Sequence, residues 1–153
     1  NKMRSFKILL SILLISGISF NAKAQESNIP SETISIEAKS FRVIFQLVSG
    51  DTLAHKALMR QLNNLLTVDP KIKIEVVCHG PGLDLLHKDK SMFASGIQEM
   101  IRRGIAFDAC EFSMKERKVN NEQLLSGIAT VPAGIYHIVK RQSEGWYYIK
   151  AGF

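Results

Sequence analysis

Two cysteines, Cys78 and Cys110, carry the nucleophilic chemistry available to this 153-residue chain, and their surroundings decide what a sulfur can do there. Cys110 closes the run Ile105-Ala-Phe-Asp-Ala-Cys110, and Phe112 to Lys118 behind it reads as a helix. A sulfur at such a strand-to-helix junction can meet unpaired backbone N–H groups and the positive end of a dipole. That placement favours the thiolate, the form that attacks sulfur and electrophiles. Lys115 and Arg117 would reinforce it, whereas Asp108, two residues back on the same strand face, opposes it as a nearby carboxylate. The plainer reading of Cys110 is a small apolar side chain filling a strand end.

Cys78 follows Val76-Val77 and precedes His79-Gly-Pro-Gly82. Adjacent strand residues point to opposite faces, so Cys78 and His79 need a turn to act together. A buried cysteine followed by a loop histidine is the simpler expectation. His55, His87 and His137 have no close ligand spacing, so the sequence points to no metal site and to no cofactor. The His79–Gly82 stretch lacks the glycine patterns that bring several amides onto a phosphate, and it reads as a turn. Ser49-Gly-Asp-Thr52 is a helix cap first and a ligand contact second. There is no Gly-x-Ser-x-Gly elbow, so an α/β-hydrolase would have no nucleophile.

These residues are positioned by strands and helices that alternate. Phe41–Val48 is a β-branched and aromatic run ending at Ser49-Gly50, a mostly buried strand. Asp51 caps a helix whose apolar face is Ala54, Ala57, Leu58, Leu62, Leu65 and Leu66, and which stops before Pro70. Ile72–Cys78 is a second strand, followed by a helical turn at Leu83–His87 and a helix from about Ser91 to Gly104. After the third strand, Asn121–Leu125 reads as helical and Ile128–Val131 as a short fourth strand. Pro132 suits the first turn of a last helix, and Trp146–Lys150 is the fifth strand. The pattern predicts a three-layer α/β/α sandwich with a mainly parallel five-stranded sheet and right-handed crossovers. Sites in such sheets form beyond the carboxyl ends of the strands. Ser49–Asp51, Cys78–Gly82, Cys110–Ser113 and Thr130–Pro132 should then share one edge. The first strand, the most apolar, is expected at the centre between the second and third, which would keep the two thiols unpaired.

Composition limits the alternatives. Two cysteines cannot build a multi-bridge scaffold or a four-cysteine zinc site, so the fold rests on a core drawn from the 46% apolar residues. Lys2, Arg4 and Lys7 precede the apolar run Ile8–Phe20, and Ala22-Lys-Ala24 follows it, in the order of a secretory signal peptide cleaved after Ala24. Met3 is the expected natural start. The apolar run is shorter than the roughly 20 residues a bilayer requires, so no stable membrane anchor is expected. Without the four bases of that segment the 20 Lys and Arg fall to 16 against 14 acids, and the charge falls from +6 to +2. No arginine-rich stripe with interleaved aromatics remains to bind nucleic acid. Residues 1–24 are thus read as the signal, 25–40 as a mobile tether in which Thr33–Ile36 could add an edge strand, and 41–153 as the domain. The expected location is periplasmic or secreted.

Three segments in order, Val43-Ile-Phe-Gln-Leu-Val-Ser-Gly-Asp51, Ile74-Glu-Val-Val-Cys-His-Gly-Pro-Gly-Leu83 and Phe107-Asp-Ala-Cys-Glu-Phe-Ser-Met-Lys-Glu-Arg117, resemble the DsrE/DsrF-like family of sulfur-transfer proteins, in particular its exported members. The resemblance covers Phe41–Phe153. In the sulfur-relay members a cysteine at the end of the third strand carries a persulfide, and Cys110 falls on that position. The resemblance therefore implies a sulfur carrier or sulfurtransferase with Cys110 as its catalytic residue. Cys78, His79, Asp108 and Ser113 would support or bind, a homo-oligomer of three or six chains would form, and a sulfur donor or acceptor protein would be the partner. Two features depart from those members: the export signal, and the carboxylate of Asp108. The alternative from a different class is a non-catalytic oligomeric module whose strand-end crevice holds a small ligand or soft metal ion.

Overall fold

The structure, a computed structural model, describes residues 40–152. The expected signal and all of the tether but Ser40 lie outside the described residues. Five strands, β1 (Arg42–Leu47), β2 (Lys73–Cys78), β3 (Ala106–Cys110), β4 (Ala129–Val131) and β5 (Tyr147–Ala151), form one sheet in the order β4-β3-β2-β1-β5. Every pairing is parallel. The helices are α1 (Thr52–Val68), α2 (Ala94–Arg102), α3 (Glu111–Arg117) and α4 (Gly134–Ser143), with 3₁₀ turns at Gly80–Leu85 and Asn121–Gln123. No helix among the described residues is long and apolar enough to cross a membrane.

The strand order corrects one expectation. β2, not β1, is the central strand, and it pairs directly with β3, so Cys78 lies opposite Ala109 in the register. Apolar content did not identify the centre because β2 also carries a solvent-shielded glutamate on one face. The thiols are nevertheless free. The pleat separates them: Cys78 packs with Phe45, Val76 and Ala109 beneath α1, while Cys110 turns to the other face and meets Gly134 of α4.

Local chemistry sets the element ends. The Asp51 carboxylate accepts from Leu53 N at 2.8 Å and starts α1, which ends before Pro70. His55 and Met59 join the buried face of α1 that the apolar pattern assigned to leucines and alanines, and His55 Nε2–H donates to the Ser49 carbonyl at 2.8 Å. The turn after β2 begins three residues earlier than expected, at Gly80, whose φ of 52° suits glycine. α4 starts at Gly134, not at Pro132, because extended Ala133 first carries the chain from β4 across the sheet.

The two sheet faces are unequal. α1 and α2 cover one with a large core containing Leu58, Leu62, Phe107 and Ile97. α4 covers the other with a small apolar set, Ile44, Val77, Val131 and Ile138. Polar side chains occupy the remainder of that thinner layer.

Candidate functional site

The carboxyl ends of the strands converge as the parallel topology requires. His79 N extends the β1–β2 pairing by donating to the Leu47 carbonyl at 3.1 Å, and Gly50 lies against Pro81. A Cβ on Gly82 would collide with the Leu47 carbonyl, so only glycine lets the turn cross the end of β1 this closely. Ser113, buried in α3, accepts from Gly80 N at 2.8 Å, tying the β2 turn to the segment behind Cys110.

Cys110 caps α3, but its sulfur makes no cap bond to that helix. Sγ instead accepts from the backbone N–H of Gly134, the first residue of α4, at 3.2 Å. The positive helix end at this sulfur is therefore that of α4, brought from 24 residues away. Gly134 is glycine for a packing reason: a Cβ there would stand 3.1 Å from Val77 Cγ1, 3.2 Å from Cys110 Cβ and 3.5 Å from His79 Cβ. Arg117 takes no part, since it binds Asp84 at 3.0 Å, and Lys115 is exposed. Burial raises the Asp84 carboxyl, but hydrogen bonds from Lys90 and Arg117 outweigh it and hold it below its ordinary value.

Cys110 is 5% exposed and Cys78 has no exposure. Burial, with the Asp108 charge as a smaller cause, pushes the Cys78 thiol far up. Cys78 is a core residue. His79 reaches the Cys110 side of the sheet, where its Nε2 meets Gln46 Nε2 at 2.7 Å. Because the Tyr148 hydroxyl donates to Gln46 Oε1, the Gln46 amide N–H must donate to His79, whose own proton then sits on Nδ1. Burial lowers the His79 pKa, in keeping with that neutral ring. The turn thus separates His79 from Cys78 and places its Cβ, like that of Cys110, against Gly134.

A second polar group lies deeper under α4. Glu75 of β2 and Asp108 of β3 occupy the same sheet face, and His137 and Arg141, four residues apart on α4, descend onto them. His137 Nε2 is 2.5 Å from Glu75 Oε1, and Arg141 Nε donates to Glu75 Oε2 at 2.7 Å. Arg141 also binds Glu144 and stacks on Trp146, 5.1 Å from the ring centre. Asp108 Oδ2, by contrast, is buried without a hydrogen-bond partner. Burial raises Glu75, but bonds to Asp108, His137 and Arg141 prevail and hold it below its ordinary value. Burial, then Glu75, pushes Asp108 up to about 7. One donor atom each from Glu75, Asp108 and His137 lies within 4.8 Å of the others. Sequence reasoning found Asp108 but missed Glu75 on β2 and the His137 and Arg141 pair on α4, because nothing local links the two strands to that helix.

Residues 42–151 match the DsrE/DsrF-like family. A protein of unknown function from Methanobacterium thermoautotrophicum, MTH1491, is similar in structure with a TM-score of 0.70 and 32% identity, over 72% of this chain and 99% of its own. A conserved protein of unknown function from Bacteroides thetaiotaomicron, BT1422, shares the fold with a TM-score of 0.60 at 17% identity, over 71% of this chain and 93% of its own. No curated protein matches. The strand-end cysteine, the parallel five-stranded sheet and the family match over all five strands agree, and the chain belongs to the DsrE/DsrF-like family.

Proposed function

We propose that this protein is a sulfur carrier that accepts and passes sulfane sulfur as a Cys110 persulfide. The observation that carries the reading is the Gly134 N–H donated to Cys110 Sγ at the start of a ten-residue helix, because that contact stabilises a developing thiolate. Attack by the Cys110 thiolate on the terminal sulfur of a polysulfide donor forms one S–S bond and breaks another. The donor leaves as a thiolate with the electron pair. An acceptor thiolate then attacks the outer sulfur and returns Cys110 to its starting state, so no external oxidant is consumed. His79 shares this side of the sheet with Cys110, since the Cβ atoms of both crowd the same point at Gly134, and the Tyr148–Gln46 chain leaves its ring proton on Nδ1.

The carrier works outside the cytoplasm, in the periplasm or secreted, a reading supported by the basic, apolar and small-residue order of 1–24. It assembles as a homo-oligomer. Exposed Ile135, Tyr136 and Val139 on α4, and Tyr147 and Ile149 on the sheet-edge strand β5, supply apolar surface for that contact.

The test is a pH series of alkylation rates on wild type, Cys78→Ser and Cys110→Ser, followed by intact mass after exposure to a polysulfide donor. Wild type and Cys78→Ser should label rapidly and gain one reductant-labile sulfur, and Cys110→Ser should do neither. Full labelling and sulfur uptake by Cys110→Ser would refute the carrier, leaving a non-catalytic binding module as the better account.

A further inference from the structure

The cluster beneath α4 holds more negative charge than its neighbours compensate. Arg141 holds Glu75 Oε2 at 2.7 Å and reaches Oε1 only loosely at 3.5 Å, where His137 Nε2 is the close neighbour. Asp108, only 6% exposed, has its Oδ2 buried without a partner, and its one carboxyl neighbour in the cluster is Glu75, with which it can bond only while one of the two carries a proton. A buried charged carboxylate left in that state costs several kcal/mol, a cost that either a proton or a bound cation at Asp108 removes.

We propose that Glu75, Asp108 and His137 form a binding site for one divalent d-block ion of the zinc type. Two carboxylate oxygens and one imidazole nitrogen suit zinc and its neighbours, while an imidazole and so few oxygens are a poor set for calcium or magnesium. The three donors already lie within 4.8 Å of one another, on two adjacent strands and one helix turn. Arg141 fits as a supporting group: its close bond is to Glu75 Oε2, so Oε1, which it touches only at 3.5 Å, is the oxygen the carboxylate can turn to a metal. Loading requires the donors to adjust, since any pair near 4.8 Å must close to the roughly 3–4 Å of two ligands on one zinc ion. His137 Nε2 and Glu75 Oε1, now 2.5 Å apart, must part to the roughly 3 Å or more that separates two donors bonded to one zinc ion at about 2.0–2.2 Å. The imidazole then ligates through Nε2 and carries its proton on Nδ1. This set is distinct from the thiol site, since neither sulfur contributes a donor.

The experiment is a zinc titration of the chelator-treated chain against a competing indicator, with cobalt absorption as a second reading. Saturable binding of one zinc per chain is expected, and a Cys78→Ser/Cys110→Ser double variant should retain it within about threefold, because the ligands are not thiols. Asp108→Asn and His137→Gln should each weaken it at least 100-fold, as loss of one ligand in three requires. Cobalt bound to wild-type chain should show visible d–d bands without the near-ultraviolet sulfur charge-transfer band, a reading that depends on no variant folding correctly. Absence of one-to-one binding would mean that the carboxylates hold a proton only and would overturn the proposal. So would undiminished affinity in Asp108→Asn, or a sulfur band in the cobalt spectrum.

Discussion

Replacing Asp108 with Asn should make the metal-free protein more stable at neutral and mildly alkaline pH and leave it nearly unchanged at about pH 4. The Asp108 carboxyl is pushed from its ordinary 3.8 up to about 7 by burial and by Glu75, with Arg141 pulling weakly the other way. An acid raised in the folded state contributes stability that is fully present below the unfolded value and is lost as pH rises through the folded one. The window is therefore about pH 4 to 7. The interval between the two values corresponds to about 4 kcal/mol, and local rearrangement around a charged Asp108 should reduce the observed loss to about 2–4 kcal/mol. Glu75 is held below its ordinary 4.5, so its contribution has the opposite sign and is lost only at lower pH. The asparagine amide can donate to Glu75 as the protonated acid does, yet it cannot ionise. Urea unfolding with chelator present, at half-unit steps from pH 4 to 8.5, should show the two proteins within about 1 kcal/mol at pH 4. By pH 8.5 the variant should lead by about 2–4 kcal/mol. A pH-independent difference, or wild-type stability that rises across the window, would refute the reasoning.

Gly134→Ala should slow Cys110 alkylation by about tenfold, since the added Cβ forces α4 away from the sulfur and weakens a hydrogen bond worth about 1.5–3 kcal/mol to a charged acceptor; an unchanged rate would show that the contact does not activate the thiol. Gly82→Ala should cost about 1–3 kcal/mol in chemical unfolding, because its Cβ meets the rigid Leu47 carbonyl and not a flexible side chain. N-terminal peptide mapping of exported protein should begin at Gln25, and a chain that retains Ile8–Phe20 would remove the export reading. Light scattering on the same material should return a multimer, and a concentration-independent monomer mass would contradict the homo-oligomer.

The alternation of β-branched runs with amphipathic stretches was enough to read the five strands, the main helices and the parallel sheet, because burying one face imposes a period on the chain. The Asp51 cap, the stop at Pro70 and the strand-end position of Cys110 are equally local and were legible for that reason. Strand order was not. An apolar strand buried on both sides looks the same wherever it lies in the sheet, and β2 hid its central place behind Glu75. Local sequence also named the wrong helix for Cys110: the donor to its sulfur is Gly134, set there by the crossover that returns α4 over β2 and β3. The Glu75, Asp108, His137 and Arg141 cluster lay wholly beyond local reading. Its members are ordinary where they stand in the chain, and they acquire perturbed charge only because parallel pairing and one helix place them together out of water.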